Sequence, residues 1–161
     1  MINIKDFSIK KELIAIQLVT TFIILTCFSV FHGFNYFHSF RKSVINQSSS
    51  MAQLIGANCT SSLNFLNNED AEEVLTSLEA EENIVNAWIN DADGNLFAQY
   101  RKTGYTDFSI PKIDNDYYEF KNGYFIFSKS IIQNDVVIGM VSLRLDMSPY
   151  RYMLLKEILF I

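Results

Sequence analysis

Nineteen consecutive residues, Leu13 to Phe31, carry no charge, and all but Gln17, Thr20, Thr21, Thr26 and Ser29 are apolar. At about 1.5 Å of rise per residue, a helix of that length extends roughly 29 Å, close to the ~30 Å hydrocarbon thickness of a bilayer. A buried core helix is the other home for such a segment, but the rest of the chain is too small to surround a helix that is apolar on every face. The stretch is therefore expected to cross a membrane. A secretory signal has a shorter apolar run closed by a small-x-small site. Here the run continues into Phe31, His32, Gly33, Phe34, Asn35, Tyr36 and Phe37, so an uncleaved anchor is expected. Lys5, Lys10 and Lys11 before the span, against Arg41 and Lys42 after it, lean toward a cytoplasmic N-terminus. Phe31, Phe34, Tyr36 and Phe37 suit the far interface.

The part beyond the anchor is large enough for one small domain. From Ser43 to Ser148 it carries six Lys/Arg against fifteen Asp/Glu, a net charge of −9. So acidic a region does not invite nucleic acid, whose binding rests on neutralising phosphates, and an anionic leaflet would repel it. The two cysteines, Cys27 inside the span and Cys59 far from it, are not placed to pair within one chain, which excludes a disulfide framework.

After the span the helical period persists. Phe37, Phe40, Val44, Gln47, Met51, Leu54, Asn58, Ser61 and Phe65 follow at alternating steps of three and four, a heptad seam unbroken by proline. Two readings stand side by side: a stalk that pairs with a second copy through Phe40, Val44, Gln47, Met51, Leu54 and Asn58, and a helix whose apolar stripe packs on its own domain. Ser48, Ser49 and Ser50 are poor helix formers, where a break is conceivable. Asn67 or Asn68 can cap a following helix, with Glu69, Asp70, Glu72 and Glu73 on its positive end and Val74, Leu75 and Leu78 on its apolar face, ending near Glu81 or Glu82.

From Ile84 the period becomes that of strands. Ile84 to Asp91 and Leu96 to Lys102 flank the turn Ala92-Asp93-Gly94-Asn95. The glycine is misplaced for a calcium loop, and no bidentate glutamate follows. Thr103 to Asp116 is an irregular excursion. Tyr117–Lys121, Tyr124–Gln133 and Val136–Asp146 are three more strands, joined by the tight turns Asn122-Gly123 and Asn134-Asp135. Ser148-Pro149 opens a return helix whose apolar end, Met153 to Ile161, reads as an interrupted outgoing membrane segment. The fold class is α+β: an N-terminal transmembrane helix (13–34) and a stalk helix (35–67) leading into a PAS-like five-stranded antiparallel sheet (68–147).

The run Met51-Ala52-Gln53-Leu54-Ile55-Gly56-Ala57-Asn58, followed by Leu63-Asn64-Phe65, resembles the stalk of a CHASE8-type sensor region. Ala71 to Leu78, Ile84-Val85-Asn86-Ala87-Trp88-Ile89 and Asp93-Gly94-Asn95-Leu96-Phe97-Ala98-Gln99-Tyr100 extend the resemblance, which covers roughly Phe40 to Asp146. Such regions are the periplasmic PAS-like inputs of bacterial sensor histidine kinases and membrane-bound diguanylate cyclases. The resemblance implies a homodimer in the inner membrane, two spans, and an effector module beyond the second. No HAMP linker, phosphorylatable histidine box, ATP-binding region or cyclase signature stands in this sequence.

No glycine-rich phosphate loop, Cys/His metal spacing or nucleophile elbow occurs, so no catalytic residue, metal or cofactor is expected. His32 and His38 sit at the membrane boundary, as interfacial rings do. A ligand site, if the sheet has one, draws on Trp88, Tyr100, Arg101, Tyr118, Phe125 and Phe127, with Tyr117 a further aromatic and Lys129 and Arg144 as further anion anchors. Phe125 and Phe127 share a side of their strand, with Tyr124 opposite. The partner is a small molecule or a periplasmic protein. The rival reading from another class is a type IV pilin-like subunit, suggested by Glu12 at the start of the span; the glycine its processing site needs is Phe7 here.

Overall fold

The computed structural model describes residues 9–105 and 115–150. It divides into two units, Met1–Val44 and Ile45–Ile161, taken in turn. A helix, α1 (Ile9–Phe65), begins in the first and ends in the second, continuing through Ser48, Ser49 and Ser50 without a break.

In the first unit nothing buries the apolar run. Phe22, Leu18 and Val30 are exposed, as are all the large hydrophobics between Leu13 and Phe34. A core helix of a soluble protein would be covered; this one is a candidate membrane span. Its polar side chains are answered internally. Thr20, Thr21 and Thr26 donate their hydroxyls to the carbonyls of Ile16, Gln17 and Phe22 at 2.7, 2.8 and 2.8 Å. Hydrocarbon supplies no hydrogen-bond partner, so bonds of this kind let threonine stay in a lipid-facing helix.

In the second unit, α1 ends in a Schellman turn. Leu66 takes a left-handed φ of 54°, and the Asn67 amide reaches back to the Ser62 carbonyl at 2.9 Å. Asn67 then caps α2 (Asn68–Thr76), its side chain accepting from the Asp70 amide at 3.4 Å. A 3₁₀ turn (Ser77–Ala80) finishes this helical segment, so the α-helix stops earlier than the sequence period suggests.

Five strands follow: β1 (Ile84–Asp91), β2 (Leu96–Arg101), β3 (Tyr117–Lys121), β4 (Tyr124–Gln133) and β5 (Val136–Asp146). They form one antiparallel sheet in the order β2-β1-β5-β4-β3. The three short turns account for most of the local order. Asn122-Gly123 and Asn134-Asp135 both have positive φ at their two central positions, the mirror-image turn whose twist suits a hairpin. In the β1–β2 turn, Asp91 Oδ1 accepts from the amides of Asp93 and Asn95 at 3.0 and 2.8 Å. Those bonds outweigh the desolvation of the carboxyl and hold it below the usual carboxylate range.

Cross-strand partners share a face, so the register sorts the sheet into two sides. One side carries Ile131, Lys129, Phe127 and Phe125 of β4, with Gly139, Val141, Leu143 and Leu145 of β5 opposite them. It lies under α1. A Cβ on Gly56 of α1 would stand 3.1 Å from Ile131, and one on Gly139 would stand 3.0 Å from Leu63. The helix meets this side with Ser48, Ala52, Ile55, Cys59, Ser62 and Leu63, all buried. Phe125, fully buried, stacks with Phe120 at a centroid distance of 4.3 Å and lies 6.2 Å from Phe127. Burial of a side chain of this size contributes about 1.5–3 kcal/mol. After β5, residues 148–150 are helical; the expected return helix and second span lie beyond them, outside the described residues, as does most of the excursion after Gly104.

Candidate functional site

The side of the sheet turned away from α1 is built differently. Two rows of cross-strand neighbours run across it. The first is Arg101–Asn86–Arg144–Ile126–Glu119, and the second is Gln99–Trp88–Ser142–Ser128–Tyr117. A sheet face that only had to fill a core would carry aliphatic side chains. This one carries two arginines, an asparagine, a glutamine and two serines beside a tryptophan.

Much of it is nonetheless buried. Trp88 is 1% exposed, and Ser128, Ser142 and Asn86 are buried with it. Polar groups in such a place need partners. Ser128 and Ser142 satisfy each other, their hydroxyl oxygens 2.7 Å apart across the β4–β5 ladder. Arg144 donates from Nη1 to Asn86 Oδ1 at 3.3 Å, and its guanidinium carbon lies 3.8 Å above the centre of the Tyr124 ring. Neighbour and ring together fix the plane of that guanidinium.

The edge of this face leads to the end of the domain. Asp146 closes β5; its Oδ1 accepts from the Ser148 amide at 2.8 Å, and its Oδ2 accepts from the Tyr105 hydroxyl at 3.0 Å. Burial opposes ionisation of this carboxyl, but the bonds from Ser148 and Tyr105 and the nearby Arg144 charge prevail and lower its pKa. The Tyr105 phenol is raised in turn by donating to the carboxylate. Asp146 thus joins the start of the β2–β3 excursion to the first turn after the sheet.

The six aromatic and basic residues singled out in the sequence do not converge. Trp88 and Arg101 lie on the outer face. Tyr100, Tyr118, Phe125 and Phe127 are on the side of α1. Tyr100 is raised by burial and by Glu79 of the 3₁₀ turn, which places that turn on the same side. Phe125 and Phe127 are core. Lys129 faces α1 too, donating to Ser49 Oγ at 2.9 Å. Of the suggested anion anchors, Arg101 and Arg144 share the outer face. Asn86, Ser128 and Ser142 had not been singled out; their alternation with Trp88 and Arg144 along β1, β4 and β5 is the signal that finds them.

The proposed seam is also distributed over more than one environment. Val44 is buried, whereas Gln47, Leu54, Asn58, Ser61 and Phe65 are exposed, Leu54 by 67% and Phe65 by 82%. The inward stripe of α1 is a different one, shifted round the helix to Ser48, Ala52, Ile55 and Cys59. One helix therefore shows a buried stripe toward its own sheet and an exposed one beside it.

A long helix laid across a five-stranded sheet of this order, with a polar opposite face and a candidate membrane span at its start, defines a PAS-like sensor module. Residues 40–144 match the family model of CHASE8, a periplasmic sensor domain. The chain belongs to the CHASE8 family, a family of sensors and not of catalysts. Among solved structures it is similar to the domain of a sensory box/GGDEF family protein from Vibrio parahaemolyticus, with a TM-score of 0.51 and 15% sequence identity, over 76% of this chain and 61% of that one. At that identity the likeness is one of fold. No curated protein matches the chain.

Proposed function

We propose that this chain is the extracytoplasmic input region of a bacterial inner-membrane receptor, a sensor histidine kinase or a diguanylate cyclase, and that it signals through a dimeric stalk. The observation that carries the reading is α1 itself. It is one helical element whose early part is apolar and uncovered and whose late part lies against the sensor sheet. Binding of a small molecule or a periplasmic protein shifts the sheet against that helix, the exposed seam repacks against the second copy, and the membrane helices move by about 1–2 Å. Leu54 and Phe65 favour pairing, because large apolar side chains left in water are stabilised by a partner. Asn58 and Gln47 set the register at some loss of stability, as polar seam residues do.

The test is made in membranes. Leu54→Cys in a background lacking Cys27 and Cys59 should cross-link to itself, and Ser50→Cys should not. Asn58→Leu or Gln47→Leu should change the basal output of the intact receptor. Monomeric Leu54→Cys under oxidation, together with unchanged output in both leucine variants, would remove the support for a dimeric stalk.

A further inference from the structure

We infer that the outer face of the sheet binds a small monocarboxylate, with the guanidinium of Arg144 as its anchor and Arg101 as a second contact. This rests on the sensory reading above and adds the chemical class of the ligand. The row Arg101–Asn86–Arg144 places two guanidinium-bearing residues on the same face of three adjacent strands, either side of a buried asparagine. The domain around them is strongly acidic, so two arginines brought together here stand against its general charge.

Arg144 is prepared for recognition. Stacking 3.8 Å over Tyr124 and hydrogen bonding to Asn86 at 3.3 Å hold its plane, so little further ordering is needed when a planar anion arrives. A planar fork of donors matches a carboxylate, which has two oxygens in one plane. Trp88 and the Ser128–Ser142 pair form the neutral floor beside the row.

The local charge selects a monoanion. Among the described residues, the acidic neighbours of the row are Asp146 and Glu119. Glu119 is on the far edge strand, with Lys121 3.9 Å away. Asp146 is the carboxylate that feels Arg144. Lys102 is turned elsewhere, donating to the Glu82 carbonyl at 2.7 Å. Two guanidiniums against one carboxylate leave a surplus of about one positive charge, sufficient for a monocarboxylate but not for a dianion. The placement also supplies a consequence. An arriving carboxylate competes with Asp146 for Arg144, and Asp146 is the group that caps the first residues after β5.

The test is isothermal titration of the full chain in nanodiscs with acetate, pyruvate and benzoate, against succinate, inorganic phosphate and sulfate. At least one monocarboxylate should bind with one site per chain and more tightly than any of the three dianion-forming probes. Arg144→Lys, which keeps the charge and loses the fork, should weaken it about 10- to 100-fold, the worth of one charged hydrogen bond. Arg101→Ala, on an exposed edge, leaves the fold intact and should weaken it by a smaller factor, which keeps the test valid if Arg144→Lys melts. Absence of binding by all three monocarboxylates, tighter binding of phosphate, or affinity unchanged in both arginine variants would each overturn the site. The receptor reading falls separately, through the output of the seam variants Asn58→Leu and Gln47→Leu.

Discussion

Gly139 gives the sharpest test of how α1 and the sheet are fitted together. It lies on β5 beneath the helix, opposite Ile131 on one side and Asp91 on the other. A Cβ at this position would come within 2.6 Å of the Asn90 carbonyl oxygen, 3.0 Å of Leu63 Cδ1 and 3.6 Å of Ile131 Cδ1. Non-bonded atoms prefer about 3.5–4.0 Å, and the closest of these three is backbone. Asn90 is paired on both sides, with β2 and β5, so its carbonyl cannot withdraw without disturbing two ladders. Overpacking of this kind costs about 1–3 kcal/mol, and alanine recovers only about 0.5–1 kcal/mol of backbone entropy. Gly139→Ala should therefore destabilise the domain by about 2 kcal/mol, which lowers Tm by roughly 10 °C for a domain near 100 residues. Gly56→Ala is the control from the opposite surface. Its Cβ would lie 3.1 Å from Ile131 Cγ1, the end of a side chain that can turn aside, and alanine favours the helix by about 1 kcal/mol. That variant should melt within roughly 4 °C of the wild type. The assay is far-UV circular dichroism of the full chain in detergent. A Gly139→Ala protein as stable as the wild type, or less damaged than Gly56→Ala, would refute the packing.

Three further outcomes follow from individual residues. Leu66→Gly should raise stability by about 1 kcal/mol in urea melts, because Leu66 is exposed at a φ of 54° where a Cβ is unfavourable; unchanged stability would contradict the Schellman turn. Cys59 is fully buried and burial pushes its thiol up to about 11, so in a Cys27→Ser background a maleimide should label it at neutral pH only after unfolding. Tyr105→Phe should cost about 1 kcal/mol at neutral pH by removing the bond to Asp146. The Asp146 carboxyl is depressed on folding, so its stabilisation is present above the ordinary carboxylate range near ~3.9 and disappears as pH falls through the folded value. The deficit of Tyr105→Phe should therefore close in acid, and a deficit that persists there would show the lost bond was not to a charged group.

The fold was legible because its signals are local. The uncharged run marks the candidate span, and the Asn-Gly and Asn-Asp turns fix where β3, β4 and β5 begin and end. The site was less legible because faces depend on register, and register accumulates along strands. Counting back from Asn134-Asp135 pairs Gln133 with Val136, as observed, and would put Ser128 opposite Val141. The register shifts between Ile131 and Ile132, and Ser128 instead meets Ser142. A single bulge thus exchanges the two sides of the sheet for every later pair. No residue type in β4 or β5 announces it. The aromatics mislead for a related reason: Phe125 and Phe127 have the composition of a pocket, but their strand turns them under α1. The stalk period was similarly ambiguous, because the helix carries a seam and a core stripe one step apart.

The account depends on α1 holding the sensor sheet on the far side of a membrane from the N-terminus. Glu73→Cys on exposed α2 and Ser8→Cys before the span, each in a background without Cys27 and Cys59, can be treated with a membrane-impermeant maleimide in intact cells. The account predicts labelling at position 73 and none at position 8 until the membrane is opened. Equal labelling at both positions, or release of the protein into the soluble fraction by alkaline carbonate, would contradict it.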